Sequence, residues 1–284
     1  MERLAGGLSS EIFKLDETRV VRYAPAGPGI FPEYDLALQA RVQEHVASRG
    51  VLAPAPAVVA PDAAGRLGMT MPFVAGHIPG PVPYLDPWIA AMPASEQACL
   101  YTNFLDVVAA LHQVEPPVGL EPRDDLAFWA EYLDWSEAVP DRLRRGFDWC
   151  RDHAPEANAA PVLLWGDVRL GNVVFDEHVE VVAVLDWEMA SVGAAEHDLA
   201  WFFALESLQD DLFGSRVPGF PGPEEARARY EAGVGRTLID LDWYEAFALV
   251  RSIAIMARLQ HVEGKPIAAD PLLDVLETRI ASQQ

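Results

Sequence analysis

Basic residues, cysteines and long apolar runs are all scarce in this sequence of 284 residues. Its 21 Lys and Arg against 43 Asp and Glu give a formal net charge of −22, so we expect neither a nucleic-acid-binding surface nor attachment to an anionic membrane. No stretch is long and apolar enough to span a membrane, and the first residues lack a signal-peptide pattern. The two cysteines, Cys99 and Cys150, lie far apart without metal-type spacing. These absences indicate a cytoplasmic protein with free thiols.

Apolar and acidic side chains are what the sequence has in quantity. Hydrophobic residues make up 51% of the chain, which is ample for a large core in one domain or two lobes. The acidic excess is most simply explained by solubility, and attraction of a cationic small molecule is the alternative.

The hydrophobic pattern divides the chain into two parts. The first part contains short β-type runs, such as EIFKL and RVVRYAP, and one amphipathic helix over 34–49. Most of the later pattern has helical periodicity, interrupted by a strand–turn–strand segment around 163–188. We therefore predict an α+β fold with a small β-rich lobe at 1–76 and a larger helical lobe at 77–284.

The interruption carries the residues with the clearest chemistry. It reads LLWGDVRLGNVVFDEHVEVVAVLDWE and places Asp167, Asn172 and Asp186 at the edges of two apolar runs. A carboxylate in such a place is costly unless a cation or a hydrogen bond compensates it. The D-x-x-x-x-N spacing is that of catalytic loops in phosphoryl transfer, where the Asp orients the acceptor and the Asn binds Mg²⁺. A surface hairpin in which Asp and Asn cap turns is the structural alternative.

The same region resembles a known family. The stretch GDVRLGNVVFDEHVEVVAVLDWEMASVGAAEHDLAWFF is similar to the catalytic segment of the aminoglycoside phosphotransferase-like kinases, in particular the branch fused to some acyl-CoA dehydrogenases. The segments GGLSS, VVRYAP, ALHQVE and LDWYEAFALVR extend the resemblance over the chain. The resemblance implies a two-lobed protein kinase-like fold and a small-molecule kinase that uses ATP and Mg²⁺. It implies Asp167 as the catalytic base, with Asn172 and Asp186 as magnesium ligands.

The resemblance also assigns a phosphate cradle near the start of the chain. The segment GGLSS corresponds to the family's glycine-rich turn, whose backbone N–H groups can approach an anion. Arg22 takes the position of the phosphate-binding lysine, and Lys14 is a second candidate. The residues assigned to the turn are Gly6, Gly7, Ser9 and Ser10.

Two further parts of the nucleotide site follow from the resemblance. A helix acid should pair with the phosphate-binding cation; we favour Glu44, with Gln39 or Arg41 as alternatives in that position. The segment MTMPFVAG resembles the hinge that holds adenine, with Met69 and Met71 beside the base and Phe73 as a further nucleotide-binding residue. A buried strand end is the structural alternative for this segment.

Some positions depart from the family pattern. Trp165 replaces the histidine before Gly-Asp, and its indole N–H can still brace the loop. Ala194 replaces an aspartate, whereas Asp198 remains and is expected to be structural, as is His112. Arg169 is assigned a catalytic role on the phosphate or the acceptor, with a salt bridge inside the loop as an equal alternative.

The acceptor is expected to be a small molecule with a hydroxyl group. The acidic balance favours a cationic one, such as an aminoglycoside or an amino alcohol. Candidate contacts are Trp243, Tyr244 and Arg251 in LDWYEAFALVR, and an amphipathic core helix is the alternative for this segment. A kinase that prefers GTP and a nucleotide-binding module without activity are the competing functions.

Overall fold

An antiparallel sheet forms the first part of the computed structural model, which describes residues 2–4, 9–156 and 160–283. Its strands are β1 (Glu2–Arg3), β2 (Glu11–Lys14), β3 (Arg19–Tyr23), β4 (Val58–Pro61) and β5 (Leu67–Pro72). Their order in the sheet is β1-β2-β3-β5-β4. The turn between β2 and β3 is stabilised by Asp16, because its carboxylate accepts the Thr18 N–H at 2.9 Å.

Helix α1 (Leu36–Ser48) follows β3 and lies within the predicted range of 34–49. Asp35 caps its first turn by accepting the Leu38 N–H at 2.8 Å. The buried side chains Val42 and Val46 belong to the main core of the protein rather than to the small apolar cluster of the sheet. The helix therefore connects the sheet with the helical part of the structure.

Helices make up most of the chain after the sheet. Helices α6 (Glu196–Phe213) and α8 (Leu241–Val262) pack against each other along much of their length and support the site. The eighth helix is apolar on nearly all sides and is therefore buried along most of its length. The helices are α2 (Pro87–Ala90), α3 (Ala94–Leu111), α4 (Asp125–Trp135), α5 (Asp141–Asp152), α6 (Glu196–Phe213), α7 (Pro223–Val234), α8 (Leu241–Val262) and α9 (Asp270–Ala281).

Two short strand pairs are inserted between α5 and α6. They are formed by β6 (Val162–Leu164), β7 (Val173–Phe175), β8 (Val181–Val184) and β9 (Ser191–Gly193). Strands β7 and β8 form the predicted antiparallel hairpin. Strand β9 returns to pair with β6, a pairing that the sequence analysis did not predict. The two pairs together fix the ends of the loop at 165–172 and of the turn that follows β8.

The structure has a sheet followed by a mostly helical part, as the predicted α+β fold requires. The predicted small β-rich part and larger helical part are confirmed. The boundary at residue 76 stays a prediction, although β5 ends at Pro72 and His77 pairs with Phe175 of the hairpin. Within the three described ranges, no helix has both the length and the apolar character that crossing a membrane requires.

Candidate active site

The Asp167 carboxylate is held by three donors in the loop between β6 and β7. Its Oδ2 accepts from Arg169 Nε at 2.8 Å and from Asn172 Nδ2 at 2.7 Å. Its Oδ1 accepts from Trp201 Nε1 of α6 at 3.0 Å. The side chain retains 15% of its exposure, so it is oriented without being sealed from a substrate. The donor role of Trp201 was not predicted from the sequence, because it depends on the packing of α6 beside the loop.

The backbone of the same loop is anchored by Asp198 at the start of α6. Its carboxylate accepts the N–H groups of Trp165 at 2.8 Å and Gly166 at 2.9 Å. His112 Nε2 lies 3.0 Å from the same carboxylate, and His112 Nδ1 lies 2.6 Å from the hydroxyl of Tyr230. The predicted structural roles of Asp198 and His112 are therefore confirmed.

The indole of Trp165 braces the turn after β8. Its Nε1 donates to the carbonyls of Leu185 at 2.8 Å and Asp186 at 3.1 Å. Asp186 has a φ of 60°, a left-handed conformation that costs a non-glycine residue free energy. The tryptophan thus performs the bracing expected of the family's histidine, with the predicted indole donor.

Asn172 and Asp186 have the oxygen atoms that a magnesium site requires. The backbone N–H of Leu185 donates to the Asn172 carbonyl at 2.8 Å, which brings the two segments together. The Asn172 amide uses its Nδ2 on Asp167, which leaves its Oδ1 free. Asp186 Oδ1 is buried and lies 2.8 Å from Arg22 Nη2, yet it accepts no well-directed hydrogen bond from any described residue. A carboxylate and an amide oxygen suit Mg²⁺, so these residues fit the ion.

Arg22 pairs with Asp186 and Glu188, two acids that follow β8, instead of with an acid of α1. Its Nη2 lies 2.8 Å from Asp186 Oδ1 and 2.6 Å from Glu188 Oε2, and Ser9 donates to the same Glu188 oxygen at 2.6 Å. Glu44 is exposed on α1, so its predicted pairing with Arg22 is wrong. Helix α1 directs the uncharged side chain of Gln39 inward. The acid that pairs with Arg22 is Glu188, the glutamate of the DWE motif.

One guanidinium serves two carboxylates in this buried cluster. Burial raises the pKa of Glu188 to about 8; the neighbouring Asp186 carboxylate adds to the rise, and Arg22 opposes it. A further cation beside these carboxylates would favour their ionised forms.

The other predicted nucleotide-binding residues that the structure describes lie on the strands of the sheet or next to them. Ser10 is buried, and its Oγ has no hydrogen-bond partner among the described residues. Met71, at the end of β5, belongs to the small apolar cluster of the sheet, against which Phe73 packs. The Phe73 N–H donates to Thr18 O at 2.8 Å, which continues the sheet pairing. Gly6 and Gly7 lie outside the described residues, and the nucleotide roles of the whole set stay predictions.

A cleft of about 260 Å³ opens beside Asp167, between the segment at 167–189 and helices α6 and α8. Its catalytic side carries Ser9, Asp186 and Glu188. Its opposite side is largely apolar and is contributed by Phe202, Leu205, Glu206 and Gln209 of α6 and by Ser252, Ile255 and Met256 of α8. The cleft therefore has Asp167, Asp186 and Glu188 on one side and a largely apolar surface on the other.

The predicted acceptor contacts do not border this cleft, so that assignment is corrected. Trp243 is buried and donates its indole N–H to Cys150 O at 2.9 Å. Tyr244 packs edge-on against His197, and Arg251 is buried with its guanidinium 5.0 Å from the Trp201 ring. The helical spacing was correct, because both Tyr244 and Arg251 contact His197, but that face points into the core.

Comparison with known proteins agrees with this geometry. A family model described as "Phosphotransferase enzyme family" matches residues 1–247. The chain belongs to this family. Mouse (Mus musculus) acyl-CoA dehydrogenase family member 10 is 27% identical over 261 residues, covering 85% of this chain and 24% of that protein. Human (Homo sapiens) family member 11 is 25% identical over 210 residues, with coverage of 69% and 26%. The chain thus spans about a quarter of the length of these relatives.

Solved structures of aminoglycoside phosphotransferases have the same fold. A Ralstonia eutropha JMP134 protein assigned to that activity has a TM-score of 0.71 and 23% identity, covering 99% of this chain and 88% of that one. A ternary complex of APH(4)-Ia with AMP-PNP and hygromycin B has a TM-score of 0.62 and 14% identity, covering 99% and 93%. The predicted phosphotransferase family and kinase-like fold are therefore confirmed.

Within this phosphotransferase fold, Glu206 is the acid on the acceptor side of the cleft. The Tyr101 hydroxyl donates to Glu206 Oε2, and Arg216 Nη2 lies 3.9 Å from the same oxygen. Burial raises the pKa of Glu206 to about 7, whereas the Tyr101 hydrogen bond and Arg216 lower it. The acid is therefore only partly ionised at neutral pH.

Replacing Trp165 by Phe tests the brace on the Asp186 turn. The substitution removes the donor to two partly buried carbonyls and should lower the free energy of unfolding by about 2 kcal/mol. Trp149→Phe is the matched control, because the Trp149 indole N–H is buried without a partner among the described residues. Urea denaturation should show a clearly smaller loss for the control, and equal losses would contradict the brace.

Replacing Gly166 by Ala tests how tightly the catalytic loop is packed. Gly166 has a φ of 90°, and an added Cβ would lie 2.3 Å from the Met189 carbonyl oxygen. Gly119→Ala is the control, with a φ of 79° and open space around the added carbon. The Gly166 variant should be less stable than the control variant by at least about 2 kcal/mol in urea denaturation. Similar losses in the two variants would show that only backbone strain matters.

Proposed function

We propose that this member of the phosphotransferase family transfers the γ-phosphoryl group of ATP to a hydroxyl group of a small molecule, with Mg²⁺. The observation that carries the proposal is the Asp167 carboxylate, which three donors orient at the edge of the cleft beside Asp186 and Asn172. The fold alone hosts several acceptors, so the argument rests on this site.

Asp167 is the group that would act on the acceptor. Trp201, Arg169 and Asn172 fix the direction of its carboxylate, so that an oxygen can accept the hydroxyl proton of a bound acceptor. The acceptor oxygen forms a bond to the γ-phosphorus as the bond from that phosphorus to the β,γ-bridging oxygen breaks. The proton passes to Asp167, and the products are ADP and a phosphate ester.

Asp186 and Asn172 would hold the magnesium ion. When bound, the ion neutralises phosphate charge and helps to align the β- and γ-phosphates. Arg22 is already anchored beside Asp186 and can present its guanidinium to the same phosphates. Ser9, which contacts Glu188 beside Arg22, brings the end of the predicted glycine-rich turn to the same place.

In this structure Arg169 forms the salt bridge inside the loop, which was the alternative to a direct catalytic role. Its Nε is engaged with Asp167 Oδ2 at 2.8 Å, so it first serves to orient the base. Contact with the transferring phosphoryl group stays part of the proposal, because the remaining guanidinium nitrogens lie beside the same cleft.

The lining of the cleft limits the acceptor. Leu205, Ile255 and Met256 favour an acceptor with an apolar part, and Glu206 is the acid that an amino alcohol would meet. Cationic antibiotics bind to related folds, as in the solved complexes with hygromycin B and kanamycin. We therefore propose a small hydroxylated acceptor, with amino alcohols as its cationic members. GTP is the alternative donor, since GDP is bound in some of these neighbours.

A nucleotide-binding module without activity is the competing proposal, suggested by the tryptophan at 165 and the alanine at 194. The contacts of Trp165 argue for activity, because the brace that the replaced histidine would provide is present. Asp198 alone satisfies both loop N–H groups, so the loop has the support it needs without an acid at Ala194.

The experiment is nucleoside diphosphate release from Mg-ATP or Mg-GTP across a panel of aminoglycosides, amino alcohols, sugars and hydroxy acids. Asp167→Asn should lower acceptor-dependent turnover by roughly a thousandfold, a cost of about 4 kcal/mol. Asp176→Asn, in the turn of the hairpin, is the matched control and should retain turnover. Nucleotide binding without turnover for any acceptor would favour the inactive module, and equal rates in wild type and Asp167→Asn would refute the role of the base.

A further inference from the structure

A second cavity, of about 740 Å³, lies on the other side of Glu188 from the catalytic cleft. It opens between the chain leading into α1, helix α4 and the segment at 187–191. The two cavities share Phe31, Glu188 and Met189, and their other lining residues differ. The larger cavity is lined by neither Asp167 nor Asp186, which both line the other cleft, so the proposed reaction does not account for it.

The walls of this cavity are unusually aromatic. Aromatic faces carry negative electrostatic potential and attract organic cations. The protein itself uses them in this way nearby, where the Arg123 guanidinium lies 4.5 Å from the Phe128 ring centre. The aromatic lining residues are Phe31, Phe128, Trp129, Tyr132, Trp135 and Trp187.

Three deeply buried polar side chains line the cavity with an atom left unpaired. Gln39, Trp129 and Ser191 are 3%, 1% and 4% exposed. Gln39 Oε1, Trp129 Nε1 and Ser191 Oγ have no hydrogen-bond partner among the described residues. Each such atom costs free energy of folding when it is left unsatisfied. A ligand with hydrogen-bonding groups would recover part of that cost when a side-chain rotation turns such an atom toward the cavity.

The charge around the cavity is negative. Glu33, Glu121 and Glu131 line it and are exposed, and the described part of the chain shows no ion pair for any of them. Arg123 is the cation in the lining, and it is engaged by Asp125 at 2.6 Å. The cavity therefore offers acids without free cations, which complements a positively charged ligand.

We propose that this cavity is a binding site for a small arylalkyl ammonium ion, separate from the acceptor site. The aromatic walls take the ring and the alkyl part, and the ammonium group donates to Gln39 Oε1 and Ser191 Oγ once side-chain rotation turns these buried atoms toward the cavity. The exposed glutamates favour the positive charge. This proposal does not rest on the proposed phosphotransfer.

Calorimetric titration of the nucleotide-free protein with phenethylamine tests the site, with 2-phenylethanol as a neutral probe of the same skeleton. The ammonium form should bind with a submillimolar Kd, and the alcohol should bind at least tenfold more weakly. Gln39→Leu should weaken phenethylamine binding about fivefold or more. The same substitution should not lower stability in urea denaturation, because it removes an unpaired buried amide oxygen.

Two control variants locate the bound amine. Glu44→Gln changes an exposed acid on the same helix and should leave binding unchanged, as should Asp167→Asn in the catalytic cleft. The proposal is overturned if no binding of phenethylamine is detected at concentrations up to roughly 10 mM, ten times the upper limit expected for its Kd. It is also overturned if the alcohol binds equally well or if Asp167→Asn weakens binding as much as Gln39→Leu does.

Discussion

The buried guanidinium of Arg22 is the contact on which the arrangement of the site depends. One nitrogen lies within 2.8 Å of carboxylate oxygens from both Asp186 and Glu188, and so it joins strand β3 to the turn after β8. Two carboxylates beside one cation in a buried setting would be costly without that pairing. This pairing explains how Asp186 is tolerated at the edge of an apolar strand before any metal or nucleotide binds. A divalent cation that bound there would favour the ionised forms of both carboxylates.

The backbone around this cluster is fixed by a second set of contacts. Asp198 binds both N–H groups ahead of Asp167, and the Trp165 indole binds the two carbonyls at the left-handed turn. Indole offers one donor at the end of a long rigid ring, which suffices to reach across the loop. A substitution that looks disruptive in the sequence is therefore compatible with an ordered catalytic loop.

The sequence predicts those parts of the site that depend on local patterns. The β7–β8 hairpin, the α1 range and the grouping of Asp167 with Asn172 follow from apolar runs and short spacings. Glu188 and Trp201 were missed because their roles depend on which elements meet in three dimensions.

Glu44 and Arg251 show the opposite error. A resemblance can assign the wrong helix position, because it does not show which face of the helix points inward. In α1 the inward side chain is Gln39, and Glu44 lies in solvent. Arg251 is polar and on the correct helix, yet cation–π contact with Trp201 holds it in the core. Ser252, Ile255 and Met256 face the cleft instead, and helical periodicity alone does not distinguish those two faces on a helix that is apolar on nearly all sides.

The central claim is that Asp186 binds a magnesium ion that brings the nucleotide into the cleft. Calorimetric titration of AMP-PNP with and without Mg²⁺ tests it most directly, using wild type, Asp186→Asn and the hairpin control Asp176→Asn. The account predicts Mg²⁺-dependent binding in wild type and the control, weakened at least about tenfold in Asp186→Asn, a change of roughly 1.4 kcal/mol. Binding that is independent of Mg²⁺, or unchanged in Asp186→Asn, would contradict it.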